Sequence, residues 1–556
     1  EILELDEEAD LKISVIYKEY CRQLRAKGLM DYDDQMVYAY TMLRSVPELL
    51  RHFQELYPYI CVDEAQDTSK IQHAIIALLA SGSENLFMVG DEDQSIYGFR
   101  AAYPEALLTF EKNYPDAKVL LMEENFRSDA RIVLAADRFI QKNTLRHEKH
   151  MKAARKPASD IREISLRSRK AQYTYLAKLA EGCTSQTAIL YRDNECILPL
   201  VDLLERNGIP YQMRNAELSF FSHRTILDII NIIKLAQNPM DTEAFLQIYY
   251  KIGTYLRKQD AIRIARISEE KRIPVLDVAA EDPDLNGHVL GSVRSMRTHL
   301  QNLLQDSGER ALYRIMQYMG YQEYLNRSGL SDSKLEILRI LGSRADSPME
   351  LAERLEQLKV LIREKEPDRK CPLILSTIHA SKGLEYDSVY LIDVADGILP
   401  ESIPQNLHQA SAEELKAYEE ERRLFYVGVT RAKDHLTLFT TNRPSTFCSE
   451  FLGKSSVTEE GRKNLMPVES RISRTFKQAR PYAAVAGIRQ TKASEELYFR
   501  LKEELGTGVI VEHKKYGEGV VTQLDDRLVH IMFQDDTLRM MDLKILANAG
   551  LLKVKK

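Results

Sequence analysis

The chain has 556 residues and a mass of 64.0 kDa, 44% of them hydrophobic and 29% charged, which fits soluble globular protein large enough for several domains. Its 77 Lys and Arg against 83 Asp and Glu leave a net charge of −6, excluding a globally basic nucleic-acid binder, so any such site must be a local groove. Six scattered cysteines without metal or redox spacing, and apolar runs as short as Ala74–Ala80, exclude a zinc or disulfide framework and a membrane-spanning segment. The expected setting is a reducing cytoplasm with free thiols. No secretory segment opens the chain, which starts at Glu1 in a charged helix-like stretch; the expectation is a sequence that begins inside a longer natural protein.

Short apolar runs bounded by polar or Gly-containing turns predict strands at Tyr59–Val62, Leu86–Val89, Val119–Met122, Ala188–Tyr191, Leu373–Ser376, Val389–Ile392 and Leu436–Phe439. Helix-period segments separate them, and that alternation predicts parallel α/β sheets. Ligands of such sheets bind beyond the carboxyl ends of the strands, so the polar residues after each run carry the chemistry.

The first run ends in Asp63, Glu64, Gln66 and Asp67. A carboxylate at a strand tip, Asp63, can hold magnesium together with substrate phosphates, and Glu64 can orient and deprotonate a water. A bare Asp-Glu pair is also a common exposed strand end. The second run leads into Val89-Gly90-Asp91-Glu-Asp-Gln94-Ser-Ile-Tyr97-Gly98-Phe99-Arg100. Gln94 can report on a phosphate, and Tyr97, Phe99 and Arg100 supply the π-faces and cation of a single-strand stacking platform. Aromatics tucked into a core are the plainer account. After the third run come Glu124, Phe126 and Arg127; Arg127 can fork onto a phosphate and Phe126 can stack on a base, while a surface salt bridge is the more ordinary role of an isolated Arg.

Residues from about 240 to 365 are helix-patterned, with few strand candidates. A strand then leads into Thr377, His379, Lys382, Gly383 and Glu385, and its hydroxyl, imidazole, ammonium and glycine groups can contact a phosphate backbone and a ribose hydroxyl; a lone His here is more often a packed structural residue. The last of the five segments is the helix-patterned Glu419-Glu-Glu-Arg422-Arg through Thr430-Arg431, with Leu415, Tyr418, Phe425 and Val429 on one face. Arg431 near its end can stabilise charge on a transferring phosphoryl group; a solvated charged face is the ordinary alternative. Residues 453–500 read as a polar linker. Val509–Val511, Gly519–Gln523, Leu528–Phe533 and Thr537–Met541 predict a small C-terminal β-barrel.

These five segments, in this order, resemble motifs II to VI of superfamily 1A helicases of the UvrD/PcrA/Rep kind. The resemblance extends over essentially the whole chain. It implies an α/β fold with two RecA-like parallel-sheet motor domains, the first incomplete, a helical insertion domain and a small Tudor-like β-barrel. The implied boundaries are 1–45 for the end of the first domain's helical insertion and 46–122 for the remainder of that domain. The second motor domain would run over 123–239 and 371–452, interrupted by the helical insertion 240–370. A linker over 453–505 and the Tudor-like module over 506–556 would follow. Implied roles are magnesium coordination by Asp63, general-base work by Glu64, and γ-phosphate contacts by Gln94, Arg127 and Arg431. Phe126 would stack on adenine, Gly383 and Glu385 would lie at the nucleotide with Glu385 on the ribose, and Tyr97, Phe99, Arg100, Thr377 and His379 would face single-stranded DNA. Phe99 stands where the family usually has Trp, which keeps a π-face of smaller area.

The implied activity is ATP-dependent, magnesium-requiring 3′–5′ translocation on single-stranded DNA and at single-strand/duplex junctions, in DNA repair or replication. The C-terminal module would bind a protein partner, RNA polymerase by family analogy. One departure bears on activity: the 556 residues contain no Gly-x-x-x-x-Gly-Lys-[Ser/Thr] loop to cradle the phosphates. The expectation is a motor lacking its upstream part and inactive alone. The alternative is a non-catalytic DNA- or partner-binding protein derived from a helicase. A helicase–nuclease subunit is disfavoured because the chain ends in a short β module.

Overall fold

The computed structural model describes residues 13–454 except 215–218, 330–332, 367, 369, 408 and 442–444, and, towards the C-terminus, residues 505, 509–514, 516–524, 528–533, 538–542, 546 and 552–554. Two units make up the chain, Glu1–Ser456 and Val457–Lys556.

Among the described residues, the first unit begins with helices Ile13–Ala26, Tyr32–Ser45 and Pro47–Leu56. A reciprocal cap starts the second: Asp31 accepts the Asp34 amide at 2.8 Å, and Asp34 accepts the Asp31 amide at 3.3 Å. Pro47 begins the third, where a missing N–H leaves no intrahelical bond unmade. Strands β1 (Ile60–Val62) and β2 (Leu86–Met88) then pair in parallel, with helix Lys70–Ala80 as their crossover.

The expected strand at Val119–Met122 is not formed. No ladder among the described residues includes it, and Leu120 and Met122 are 84% and 86% exposed. An apolar run becomes a strand only where a neighbouring edge accepts its backbone bonds. The ladder begins just beyond, where β3 (Glu124–Asn125) pairs with β4 (Lys152–Ala153).

The larger sheet contains β5 (Arg162–Leu166), β6 (Thr187–Tyr191), β7 (Gln212–Met213), β8 (Leu373–Thr377), β9 (Tyr386–Leu391) and β10 (Ala432–Thr441), in the order β5-β10-β9-β6-β8-β7 with every ladder parallel. All residues of β6 and β8 are buried, which is why these strands read as unbroken apolar runs and not as alternating ones. One apolar cluster covers one face and continues into the helical block; a second, built on Phe139, Phe425, Phe447 and Phe451, covers the other.

Between β7 and β8 the described residues are helical from Arg224–Gln237 to Pro348–Glu364, as the 240–365 pattern predicts. Buried, paired charges tie this block together. Asp228 accepts from Lys251 at 2.5 Å and from the Tyr321 hydroxyl at 2.8 Å. Buried Asp202, on helix Leu198–Arg206, meets Arg206, Arg344 and Arg354. Such groups persist away from water only because each has its partner.

The second unit holds β11 (Ile510–His513), β12 (Gly517–Leu524), β13 (Leu528–Phe533), β14 (Leu538–Asp542) and β15 (Leu552–Val554), antiparallel in the order β14-β13-β12-β11-β15 around Val511, Val521, Val529, Ile531 and Leu552. Among the described residues no ladder joins β14 to β15, so the strands form an open sheet there. Most of the expected linker lies outside the described residues. Among the described residues no helix is long and apolar enough to cross a membrane.

Candidate functional site

Where β1 ends, Asp63 is exposed and its Oδ1 accepts the Glu64 amide at 2.9 Å. Glu64 has φ of +50°, in the left-handed region that a side chain seldom adopts. Its carboxylate accepts from Gln66 Nε2 at 2.5 Å. The other end of the Gln66 amide accepts the Asp91 amide at 2.9 Å, which ties the loop after β1 to the loop after β2. An exposed carboxylate at a strand tip suits a hydrated magnesium ion that binds through one protein oxygen and substrate phosphates. Asp91, Glu92 and Asp93 also converge closely enough to suggest a metal cluster. Lys149 contacts all three at 2.6–3.4 Å and Arg146 pairs with Asp93 at 2.8 Å, so side-chain cations already neutralise that group.

The loop after β2 reaches the apolar cluster on one face of the larger sheet. Ile96 is buried in the Phe425 cluster, and Arg423, on helix Ala412–Val429, donates to the Ser95 carbonyl at 3.1 Å. Gln94 donates to Asp91 at 2.8 Å through its amide nitrogen, while its oxygen faces Arg431 Nη2 at 3.4 Å. Arg431 is 1% exposed, with Nε on the Val427 carbonyl at 3.0 Å and Nη1 on the Leu384 carbonyl at 3.1 Å. Burial first, then the Arg127 charge, bring its guanidinium down to about 10, still protonated at neutral pH. No ion pair among the described residues involves Arg431. Arg127 donates to Glu385 at 2.9 Å, and Ser128 Oγ donates to the Ala432 carbonyl at 2.6 Å, which keeps the two arginine segments together. Phe126 is 71% exposed beside them, and Gly383 takes a left-handed φ of +78° just before Glu385.

A second cluster gathers the aromatics. Phe99, 67% exposed, stands edge-on to His379 at 5.7 Å and to Tyr97 at 5.9 Å, and Arg100 lies 5.5 Å over both the Tyr97 and Phe99 rings. The Tyr97 hydroxyl donates to the His379 carbonyl at 3.2 Å. Thr377 is buried at the end of β8, where its hydroxyl accepts the Ala380 amide at 3.1 Å. Sequence reasoning thus named residues that converge in two adjacent groups, one of carboxylates and arginines and one of aromatics.

It named Lys382 as an ammonium for a phosphate backbone but missed the link that this residue makes between the two groups. Lys382 pairs with Asp67, approaches Glu64 at 3.5 Å, donates to the Gln94 carbonyl at 2.9 Å and lies 5.4 Å over the Tyr97 ring. Lys149 and Arg146 were missed as well. The carboxylates they meet are at least 53 positions away in sequence, so no local pattern could reveal them.

His379 provides a pH test. Burial first, then the charges of Arg192 and Arg100, lower its imidazole from 6.5 to about 4. The folded protein keeps it neutral, whereas the unfolded chain protonates it below its ordinary value. Stability is therefore lost as pH falls from about 6.5 towards 4. His379→Gln should flatten that part of the urea-stability profile, and an unchanged slope would contradict the assignment.

Comparison with known proteins identifies two matching families: the UvrD-like helicase C-terminal domain over residues 120–443 and the UvrD/REP helicase N-terminal domain over residues 3–115. YjcD of Bacillus subtilis (strain 168) is 30% identical over 455 residues, which are 79% of this chain and 59% of YjcD. A protein named ATP-dependent DNA helicase PcrA from Staphylococcus epidermidis is 28% identical over 550 residues, 93% of this chain and 73% of that protein. The PcrA of Staphylococcus aureus (strain NCTC 8325 / PS 47) is 26% identical over 552 residues, with the same coverage.

Proposed function

Because the chain belongs to the UvrD-like helicase family, we propose that it carries most of the motor of an ATP-dependent 3′–5′ DNA helicase, which translocates on single-stranded DNA and unwinds duplex in repair or replication. One observation supports this reading above the others. The ten residues Asp91–Arg100 carry Gln94 against Arg431 at one end and Tyr97, Phe99 and Arg100 against His379 at the other. A phosphate sensor and a base-stacking platform on one short segment are what a motor needs to turn nucleotide state into a grip on DNA.

In this proposal ATP lies between two RecA-like domains. Asp63 would hold magnesium, which would supply charge neutralisation on the phosphates. Glu64 orients and deprotonates the attacking water, and Gln94 reads the γ-phosphate. Arg127 and Arg431 reach that phosphate from the second domain. Phe126 stacks on adenine, and Gly383 and Glu385 hold the ribose side. Tyr97, Phe99, Arg100, Thr377 and His379 take the single strand. The helical block meets duplex at the junction. The C-terminal sheet acts as a Tudor-like module for a protein partner, RNA polymerase by analogy. The phosphate-gripping loop comes from outside these 556 residues, so this polypeptide alone turns over little ATP. A non-catalytic DNA-binding role is the second reading, favoured by the lack of that loop motif within the sequence.

Phe99→Ala tests the strand-facing half. It should weaken binding of oligothymidine by about 1–3 kcal/mol in a fluorescence-anisotropy titration of the intact protein. Unchanged affinity would mean that Phe99 only packs against its neighbours.

A further inference from the structure

The run Glu419-Glu420-Glu421 sits mid-way along helix Ala412–Val429, and each carboxylate goes to a different partner. Successive helix positions are rotated by roughly 100°, so three neighbours cannot share one target. Buried Glu419 accepts the Thr144 amide at 2.7 Å and the Thr144 hydroxyl at 2.8 Å. Glu421 accepts from Arg192 at 2.6 Å and from the Glu401 amide at 3.1 Å. Glu420 crosses to the loop after β2 and accepts the Gly98 amide at 2.8 Å.

That contact accounts for the glycine. Position 98 does not have a left-handed backbone, so conformational freedom is not what it requires. A Cβ there would lie within 2.7 Å of three carboxylate atoms of Glu420. A side chain at position 98 would push the Glu420 carboxylate away from the backbone amide. The bond falls at the start of the turn Gly98–Arg100, immediately before Phe99. The same helix holds the flanks of this segment through Arg423 on Ser95 and Lys416 on Glu105 at 2.8 Å, and the chain leaves its end at Arg431.

We propose that Glu420 is a positioning residue for single-stranded DNA: by capping the Gly98 amide it sets the turn that presents Phe99 and Arg100, and it ties that turn to the helix that leads to Arg431. The inference rests on the strand-facing reading of Phe99 given above. Its signature is equivalence. Glu420→Ala removes the acceptor, and Gly98→Ala displaces the flexible end of Glu420, so both lose the same bond.

Anisotropy titrations of fluorescein-labelled oligothymidine with the intact protein test this. Glu420→Ala and Gly98→Ala should each weaken binding by about tenfold. The double variant should bind no worse than either single one, and Glu420→Gln, which keeps an acceptor oxygen, should recover most of the loss. The inference is overturned if Glu420→Ala binds like the unaltered protein while Phe99→Ala does not, or if the two single losses add. If Phe99→Ala also leaves binding unchanged, it is the strand-facing reading that fails, and the inference falls with it.

Discussion

Replacing Arg431 by alanine in a polypeptide that carries these 556 residues behind an upstream phosphate-gripping loop is expected to lower DNA-stimulated ATP turnover by about 10³–10⁵-fold, the range associated with an arginine that stabilises a transferring phosphoryl group. The setting of the side chain supports that proposed role. It is buried, and two of its nitrogens are fixed on the backbone carbonyls of Val427 and Leu384 while the third faces Gln94. No carboxylate among the described residues pairs with it, and Arg127 is close enough to depress its proton affinity. A buried cation without a counter-ion is unfavourable until an anion arrives. A phosphate between Arg127 and Arg431 would supply one, and its charge would grow in the transition state. Arg431→Lys should recover only part of the loss, because an ammonium cannot reproduce the planar fork. Thermal unfolding measured alongside separates the cost of the missing backbone bonds from the loss of turnover. Turnover of the alanine variant within about tenfold of the unaltered protein would exclude a phosphoryl contact.

Glu64→Gln is expected to lower turnover by about 10²–10⁴-fold, the usual loss when a general base is removed. Gln keeps the size of Glu64 and an oxygen for the Gln66 amide, so a failure of this variant reports the lost basicity. The left-handed backbone at Glu64 places its carboxylate next to Gln66 and 3.5 Å from Lys382. Lys382 in turn lies over Tyr97 in the aromatic cluster. Single-strand affinity of the Gln variant, carried by other residues, should be retained. Turnover that stays near the unaltered level would move the base to another group.

The central strands of the larger sheet were legible because burial on both faces forces unbroken apolar runs: all of β6 and β8 are buried, and both were predicted. Its edges were not. β5 contains Arg162 and Glu163 with mixed exposure, and β7 is two residues long; each is a strand because a neighbour pairs with it. Val119–Met122 failed for the opposite reason, apolar sequence without a partner. Asp63 and Thr377 could be singled out from their position at strand ends alone. The acidic run 419–421 could be read as a solvated face, yet each of its carboxylates has a distinct partner. Lys382 and Glu420 act across sequence separations of 315 and 322 residues, which no local spacing encodes. Tyr97, Phe99 and Arg100 lie together as their spacing suggests, but the ring geometry with His379 depends on the two loops meeting in space.

The measurement that bears most directly on the motor reading is steady-state ATP hydrolysis with and without oligothymidine. Two polypeptides should be compared: one carrying these 556 residues behind an upstream phosphate-gripping loop, and the 556 residues alone. The account predicts hydrolysis strongly stimulated by single-stranded DNA in the first and negligible hydrolysis in the second. Absence of DNA stimulation in the first would contradict it.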